Sequence, residues 1–529
     1  MATLETAYLA ARDAHDRLDV VRVRGRPGDR SRLEAEAGAA SAAFRSLLAA
    51  FGDPEDLEAE DRRALGAMTA GIEAAAAGVL PVAPVLPAGS DDEAARAAAI
   101  EAGGETLRRW IEATATSAAT ALPYRGRTLT RLQILARLAT EPDAAERRGL
   151  FLALEPLWRS MDGDGVDRSP YRAFLRGSSA AWRAGRSPIA ASAVALGVTP
   201  ADIETWAITV LAAWRAAVVE PLRVRRDYQV EPWDWWWQAG AADRAMNAAL
   251  PPAVVRALNR DVHAALGADL DALGVELDLA STPTRQPVAM AFTTFGARPR
   301  RREDGSWFAG RPTVFANFTE GGLTELLELM HETGHAMHIA AIRTRPAFAD
   351  WPDSDAFIEG LADLVTPDLT EPAWQRRWLP GGARISEGLA VRGQYAALAL
   401  DAAWALFEIR LHANPDRLPN DVWTEITSVW LGITRHPEWS WWAMRGQLVE
   451  APGYMANYAI GAVLAAEVRA SIREARGDWI DGDPGWYAWV SDHVFRFGLE
   501  RPTLTVLRDL LGRPPTADAF LNQIGRGAA

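Results

Sequence analysis

The chain has 529 residues, 49% of them hydrophobic, and its 56 basic and 69 acidic residues leave a net charge of -13. That length suffices for a large buried core and ordinarily for several domains, while the acidic balance argues against nucleic acid as a partner and disfavours strongly acidic substrates. Cysteine is absent, which excludes disulfides and thiolate metal sites, and lysine is absent too, so every basic residue is an arginine.

Segments rich in Ala, Leu, Arg and Glu at helical period dominate the chain. The first 78 residues predict two or three helices, and the Pro- and Gly-rich stretch from Leu80 to Asp92 predicts a loop. Helical patterns return from about Glu93 to Leu279, with breaks near Asp162–Pro170 and Ser187–Thr199. The run Asp162-Gly163-Asp164-Gly165 superficially suggests calcium, but it lacks the third spaced acid, the sixth-place Gly and the closing Glu, and reads as a turn. The opening twenty residues are amphipathic, unlike a signal peptide. The most apolar run, Trp206 to Val219, is short and broken by Arg215. A cytoplasmic protein with no membrane partner is the expectation. Asn317-Phe318-Thr319 matches a glycosylation sequon, with nothing else to suggest secretion.

One clear β signal runs from Val288 to Phe318. Val288, Met290 and Phe292 alternate with Ala289 and Ala291, Asp304-Gly305 supplies a turn, and Val314 to Phe318 runs back. A strand in this place can pair with an extended peptide through its main chain, or serve as a plain structural hairpin. Arg298, Arg300, Arg301 and Arg302 crowd the expected tip and read as a solvated turn.

Next comes the segment that carries chemistry. Leu323, Leu326, Leu327, Met330, Gly334 and Met337 form an apolar stripe of helical period, and His331, His335 and His338 form a neighbouring one. These three are among only eight histidines in the chain. His331-Glu332-Thr333-Gly334-His335 reads H-E-x-x-H, which puts two imidazoles one turn apart beside a carboxylate. A zinc hydrolase uses that set as two metal ligands and a general base, Glu332. Gly334, between the ligands, leaves room for another helix to cross closely.

Catalytic zinc takes three protein ligands, so a third is required. Glu359 is the candidate, on a second helix capped by Asp353 or Ser354 and stopped by Pro367. Asp363 lies one turn further on the same face, where it can accept the free ring N–H of a ligating histidine.

The run His331 to His338, HETGHAMH, resembles the H-E-x-G-H-x-x-H signature of the thimet oligopeptidase and oligoendopeptidase F family of zinc metallopeptidases. Val314 to Phe318, Trp233 to Trp237, and Leu510 to Pro515 with Ala519 to Leu521 are similar to other family elements, and Phe357 to Asp363 is similar to the F-x-E-x-x-x-D of angiotensin-converting enzyme. The resemblance spans roughly positions 230–525. Gly453 to Tyr458 is similar to the family's G-Y-x-A-x-Y segment, whose tyrosines face the metal. Tyr454 first, and Tyr458 second, are thereby candidates to stabilise an oxyanion. The chain departs from the family in carrying Val449 and Gly461 where many members have His and Tyr. His436 or His493 is the candidate to fill that gap in space.

The resemblance implies a mostly α-helical zincin-type metallopeptidase, with two helical lobes around a deep channel and a small β element beside the zinc helix. Residues 1–280 would form much of one lobe and 281–529 the zinc-binding region, with the lobes interwoven. The implied cofactor is Zn2+, held by His331, His335 and Glu359, and the implied substrate is a short peptide. Two alternatives stay open: a hydrolase of the same scaffold acting on a non-peptide or modified amino acid, and a metal-holding binding protein without catalysis. Trp235, Trp236, Trp237, Trp439, Trp441 and Trp442 read mainly as glue between helices. Arg392 and Arg445 are the guesses for a clamp on a substrate carboxylate. Oligomeric state is not legible.

Overall fold

The computed structural model describes the chain except residues 26, 52–56, 78–92, 163–167, 221–229, 281–284, 286–287, 289–290, 319, 380, 382–384 and 529. The expected loop from Leu80 to Asp92, most of the Asp-Gly turn near 163, and Ala289 and Met290 lie outside the described residues.

Helices α1 (Ala2–Arg24), α2 (Pro27–Ala49) and α3 (Ala59–Ala77) form the helical opening. Gly25 ends α1 in the left-handed region at φ 62. These helices bury small apolar clusters of their own, such as Leu4, Tyr8, Phe44, Leu65 and Met68 against Phe348. The main core is one continuous cluster from Ala99 to Ile524. Three of its helices start where a hydroxyl precedes a proline, and one of them, Pro188–Leu196, fills the stretch from Ser187 to Thr199 that was expected to be a break. Ser169, Ser187 and Thr199 each cap the next helix with a side-chain oxygen, and Pro170, Pro188 and Pro200 supply the pre-set first turn. No single described helix is long and apolar enough to cross a membrane.

The β signal becomes a three-stranded sheet of β1 (Glu276–Asp278), β2 (Phe292–Thr294) and β3 (Thr313–Phe315), in the order β1-β3-β2. β2 and β3 run antiparallel, with Phe292 opposite Phe315, as alternation predicts. β1 lies parallel to β3 at the end of the stretch expected to be helical, where Val275, Leu277 and Leu279 alternate with Glu276 and Asp278. Asp304-Gly305 turns a separate small hairpin, Arg300–Arg301 with Trp307–Phe308.

The arginine tip needs correction. Arg301 and Arg302 are exposed, but Arg298 is only 2% exposed and reaches into α1. It pairs with Asp16 at 2.8 Å and Asp350 at 3.1 Å, and Arg300 pairs with Asp13 at 2.7 Å. Charge alone suggested solvent, but acids from the distant α1 supply a buried partner set.

The tryptophans gather around Phe151, with ring centroids 5.0 Å from Trp158, 6.1 Å from Trp236, 5.8 Å from Trp439 and 6.1 Å from Trp441. They join segments far apart in the chain and lie within or against the core.

Five further helices build the site region: α4 (Pro252–Ala265), α5 (Gly322–Ala341), α6 (Asp355–Ala362), α7 (Glu387–Ala413) and α8 (Met455–Arg476). Glycines set how closely they cross. A Cβ on Gly334 of α5 would lie 2.3 Å from the Ala362 carbonyl oxygen of α6, and one on Gly360 would lie 2.6 Å from that of Gly461 on α8. Backbone therefore meets backbone at both crossings, which fixes α6 between α5 and α8.

Candidate metal centre

α5 begins after Gly321 and buries Leu323, Leu326, Met330 and Met337, the predicted stripe. The adjacent face carries His331 and His335, whose rings sit 4.7 Å apart at 88°. α6 starts at Ser354, whose hydroxyl accepts the Phe357 N–H at 3.3 Å, and its next turn presents Glu359 to the two rings. Glu359 Oε2 lies 3.5 Å from His331 Nε2. One donor atom each from His331, His335 and Glu359 lies within 4.8 Å of the others.

Asp363 ends α6 and places Oδ1 2.9 Å from His331 Nδ1. The Thr366 hydroxyl donates to the same oxygen at 2.8 Å. His338, one turn beyond His335, turns away from the donors and packs on Phe495 and Trp351. Trp351 also meets the His335 ring, at 5.6 Å. On the far side of α5 the Thr333 hydroxyl lies 2.9 Å from Asn259 Oδ1 and 2.7 Å from His263 Nε2, tying the helix to α4.

Electrostatics sort the roles. Burial alone would lower His331, but Asp363 and Glu359 outweigh it and raise its ring well above the usual histidine range. Burial would raise Glu359, yet hydrogen bonding and charge from His331 and His335 hold it down at about 2. Burial, with the His331 charge beside it, pushes His335 down to about 4. The carboxylates thus call for positive charge among the donors. A divalent cation meets that demand and leaves both imidazoles neutral, as ligands must be. Two imidazoles and one carboxylate form a zinc-type donor set, so the residues present fit the metal that the motif implies.

Glu332 is 5% exposed, and burial pushes its carboxyl up to about 7. Thr293 of β2 donates to its Oε2 at 2.6 Å. Tyr454, just before α8, donates to Glu359 Oε1 at 3.0 Å, and the Tyr454 and Tyr458 ring centroids lie 5.8 Å apart. Burial and the Glu359 charge raise both phenols, which keeps them protonated donors at neutral pH.

His436 and His493 stand elsewhere, whereas the Arg445–Asp401 pair lies near enough to Tyr458 for both charges to act on its phenol. His436 is held between Glu231 and Glu438 on Trp439, and His493 is exposed against Trp489. Arg445 pairs with Asp401, and Arg392 donates to Gln238 at 3.3 Å. Gly461 sits at a close crossing of α8 with α6. A Cβ at 461 would lie 3.1 Å from the Ala356 carbonyl and 3.2 Å from the Gly360 nitrogen. Thr293, Thr366 and Trp351 joined the site unannounced. Period-two alternation marked the strand of Thr293, but the contact partner of that side chain left no trace in sequence.

A cavity of about 840 Å³ adjoins the centre, walled by Thr293, Phe295 and Trp351 on one side and by Arg12, His15 and Gly71 of α1 and α3 on the other.

No family model matches the chain, and no curated protein matches it in sequence. Solved structures do match its fold. The M32 carboxypeptidase from Deinococcus radiodurans R1 aligns with a TM-score of 0.56 at 14% identity, over 100% of this chain and 99% of its own. Pyrococcus furiosus carboxypeptidase aligns with a TM-score of 0.57 at 14% identity, over 100% and 98%. A protein designated CHT aligns with a TM-score of 0.54 at 12% identity, over 99% and 98%. The chain therefore has the mostly α-helical fold of these solved structures, over nearly the full length of each. The finer likeness to the thimet oligopeptidase and oligoendopeptidase F family rests on the motifs alone.

Proposed function

We propose that this protein is a zinc-dependent peptidase that hydrolyses peptide bonds in short peptides. One observation carries the reading: His331, His335 and Glu359 converge beside a buried carboxylate, Glu332, poised near neutrality by its surroundings. Zinc in that donor set would supply Lewis acidity, lowering the pKa of water and polarising a carbonyl. Glu332 takes the proton from the attacking water and returns it to the leaving amine. Thr293 holds the Glu332 carboxylate in place for both transfers. Asp363, backed by Thr366, orients the His331 ring. Tyr454, with Tyr458 beside it, offers O–H to the oxyanion as it develops. Among the described residues β2 pairs within its sheet only with β3, and it lies next to Glu332, so its other edge can receive an extended peptide main chain.

The retained base speaks against a metal-holding protein without catalysis, since holding zinc needs no Glu332. The carboxypeptidases among the structural neighbours favour a second reading of the cleavage mode, release of residues from the carboxyl end. Mass-spectrometric product mapping on a mixed peptide pool separates the two: single-residue ladders from the carboxyl end indicate the exopeptidase, internal cuts the oligopeptidase. Glu332→Gln is the control. It should keep its metal and lose between about 10²- and 10⁴-fold in turnover. No products from the metal-loaded wild type would turn attention to the non-peptide alternative, and full turnover by the variant would remove the mechanism.

A further inference from the structure

A buried acid stands behind the segment that carries Tyr454. Glu408 of α7 is 0% exposed, and its Oε1 accepts the backbone N–H of Gly453 at 2.8 Å. Its second oxygen has no hydrogen-bond partner, and no described cation pairs with it. Gly453 has φ +86, and a Cβ there would meet Trp182 and Pro188 at 3.3 Å. The turn leading into α8 is thus seated in a socket of Trp182, Pro188 and Glu408. One turn along α7, His412 lies flat on Trp182, with centroids 3.6 Å apart at 9° and Nε2 unpartnered. Tyr171 faces Glu408 from the helix Pro170–Arg183, its buried hydroxyl also unpartnered. Arg172, beside it, donates to the Asp416 carbonyl at 3.3 Å.

We infer that Glu408 is a positioning residue: by docking the Gly453 N–H it aims the Tyr454 hydroxyl into the metal centre. The path is short. Glu408 holds Gly453, the next residue is Tyr454, and its hydroxyl meets Glu359 3.0 Å away. The inference rests on the peptidase reading for its kinetic consequence, though not for its structural one. Burial pushes Glu408 up to about 8, so at neutral pH the group is an uncharged acid that still offers an acceptor oxygen. His412, pushed down to about 3 by burial, is neutral as well and supplies no counter-charge. Once ionised, Glu408 is an unpaired buried anion that only water can satisfy, and admitting water loosens the socket. Activity should then fall as pH rises through about 8.

Two variants and two readouts test this. Glu408→Gln keeps an acceptor and cannot ionise. It should keep most of kcat at neutral pH and carry activity past the alkaline limb of the wild type. Glu408→Leu keeps the volume and removes the acceptor. It should bind metal normally and lose about tenfold to a hundredfold in kcat with KM little changed, the cost of a misplaced group. Amide hydrogen exchange over Ala451–Met455 should quicken in Glu408→Leu and stay slow in Glu408→Gln. Wild-type kcat and exchange in Glu408→Leu, or an unchanged alkaline limb in Glu408→Gln, would overturn the proposal. Exchange is read without turnover. Altered exchange in a protein silent toward peptides would support the socket and count against the peptidase reading.

Discussion

Thr293 sets its hydroxyl 2.6 Å from Oε2 of Glu332 and 2.9 Å from the backbone carbonyl of the same residue. A hydrogen bond to the carboxylate favours its charged form and offsets part of what burial does to Glu332. The strand edge expected to bind substrate therefore also tunes the base.

Thr293→Val keeps the shape and removes that donor. We expect kcat to fall about tenfold, within the range of losing one oriented bond in a proton-transfer site. A protonated Glu332 cannot accept a proton, so the rate falls as pH drops through its pKa. Burial places that value at about 7, and a cation in the centre lowers it. Loss of Thr293 raises it, so the acid limb of kcat/KM should move to higher pH in the variant. Superimposable profiles for the two proteins would refute this role.

Asp363 touches His331 and not the donor atoms themselves, so any effect it has on a bound metal would pass through that ring. Its bond to His331 Nδ1, braced by Thr366, selects the tautomer that presents Nε2 to the centre. Asp363→Ala should weaken zinc binding by about 10- to 100-fold, read by chelator competition, with secondary structure unchanged. Thr366→Val should move affinity in the same direction by less. Equal affinity in wild type and Asp363→Ala would show that the ring needs no such support.

The glycine crossings give a stability prediction. At Gly334 a methyl group meets the Ala362 carbonyl at 2.3 Å, so α5 and α6 must separate, and α6 carries Glu359. Gly334→Ala should cost about 1–3 kcal/mol of stability and lower metal affinity as well. Gly461→Ala meets the Ala356 carbonyl at 3.1 Å, and a small shift relieves it. Its melting temperature should fall less, with metal binding retained. The order of the two variants in a thermal melt is the check.

What sequence revealed was local. H-E-x-x-H spacing, the apolar stripe beside it, the Ser354 cap and the four-residue step from Glu359 to Asp363 are all written within one or two helical turns, where periodicity fixes geometry. What it hid was long-range. Thr293 meets a residue 39 positions on, Glu408 one 45 positions on, and Arg298 one 282 positions back. No pattern of spacing encodes such pairs. Gly461 is instructive because it stood out only as a missing tyrosine. In the structure that position lies at the close crossing of α6 and α8, where a Cβ would sit 3.2 Å from the Gly360 nitrogen.

Arg298 gives the last prediction, on how the N-terminal helices are held. Arg298 joins Asp16 of α1 to Asp350, Arg12 of α1 reaches Asp350 at 2.7 Å, and Arg345 reaches Glu5 at 2.6 Å. The apolar cluster beneath α1 and α3 is small, so these ion pairs matter to attachment. Arg298→Met leaves Asp16 buried without that partner, a loss of about 3–5 kcal/mol when one member of a buried pair is removed. Arg12 still serves Asp350, which limits the damage to one side of the latch. Limited proteolysis should therefore cut the variant faster in its N-terminal helices than elsewhere. None of these residues contacts the donor set, so metal content should stay level. Adding Asp16→Leu removes the stranded charge and should restore much of the resistance. If the double variant is cut as fast as the single one, the latch works by packing of the arginine stem and not by its charge.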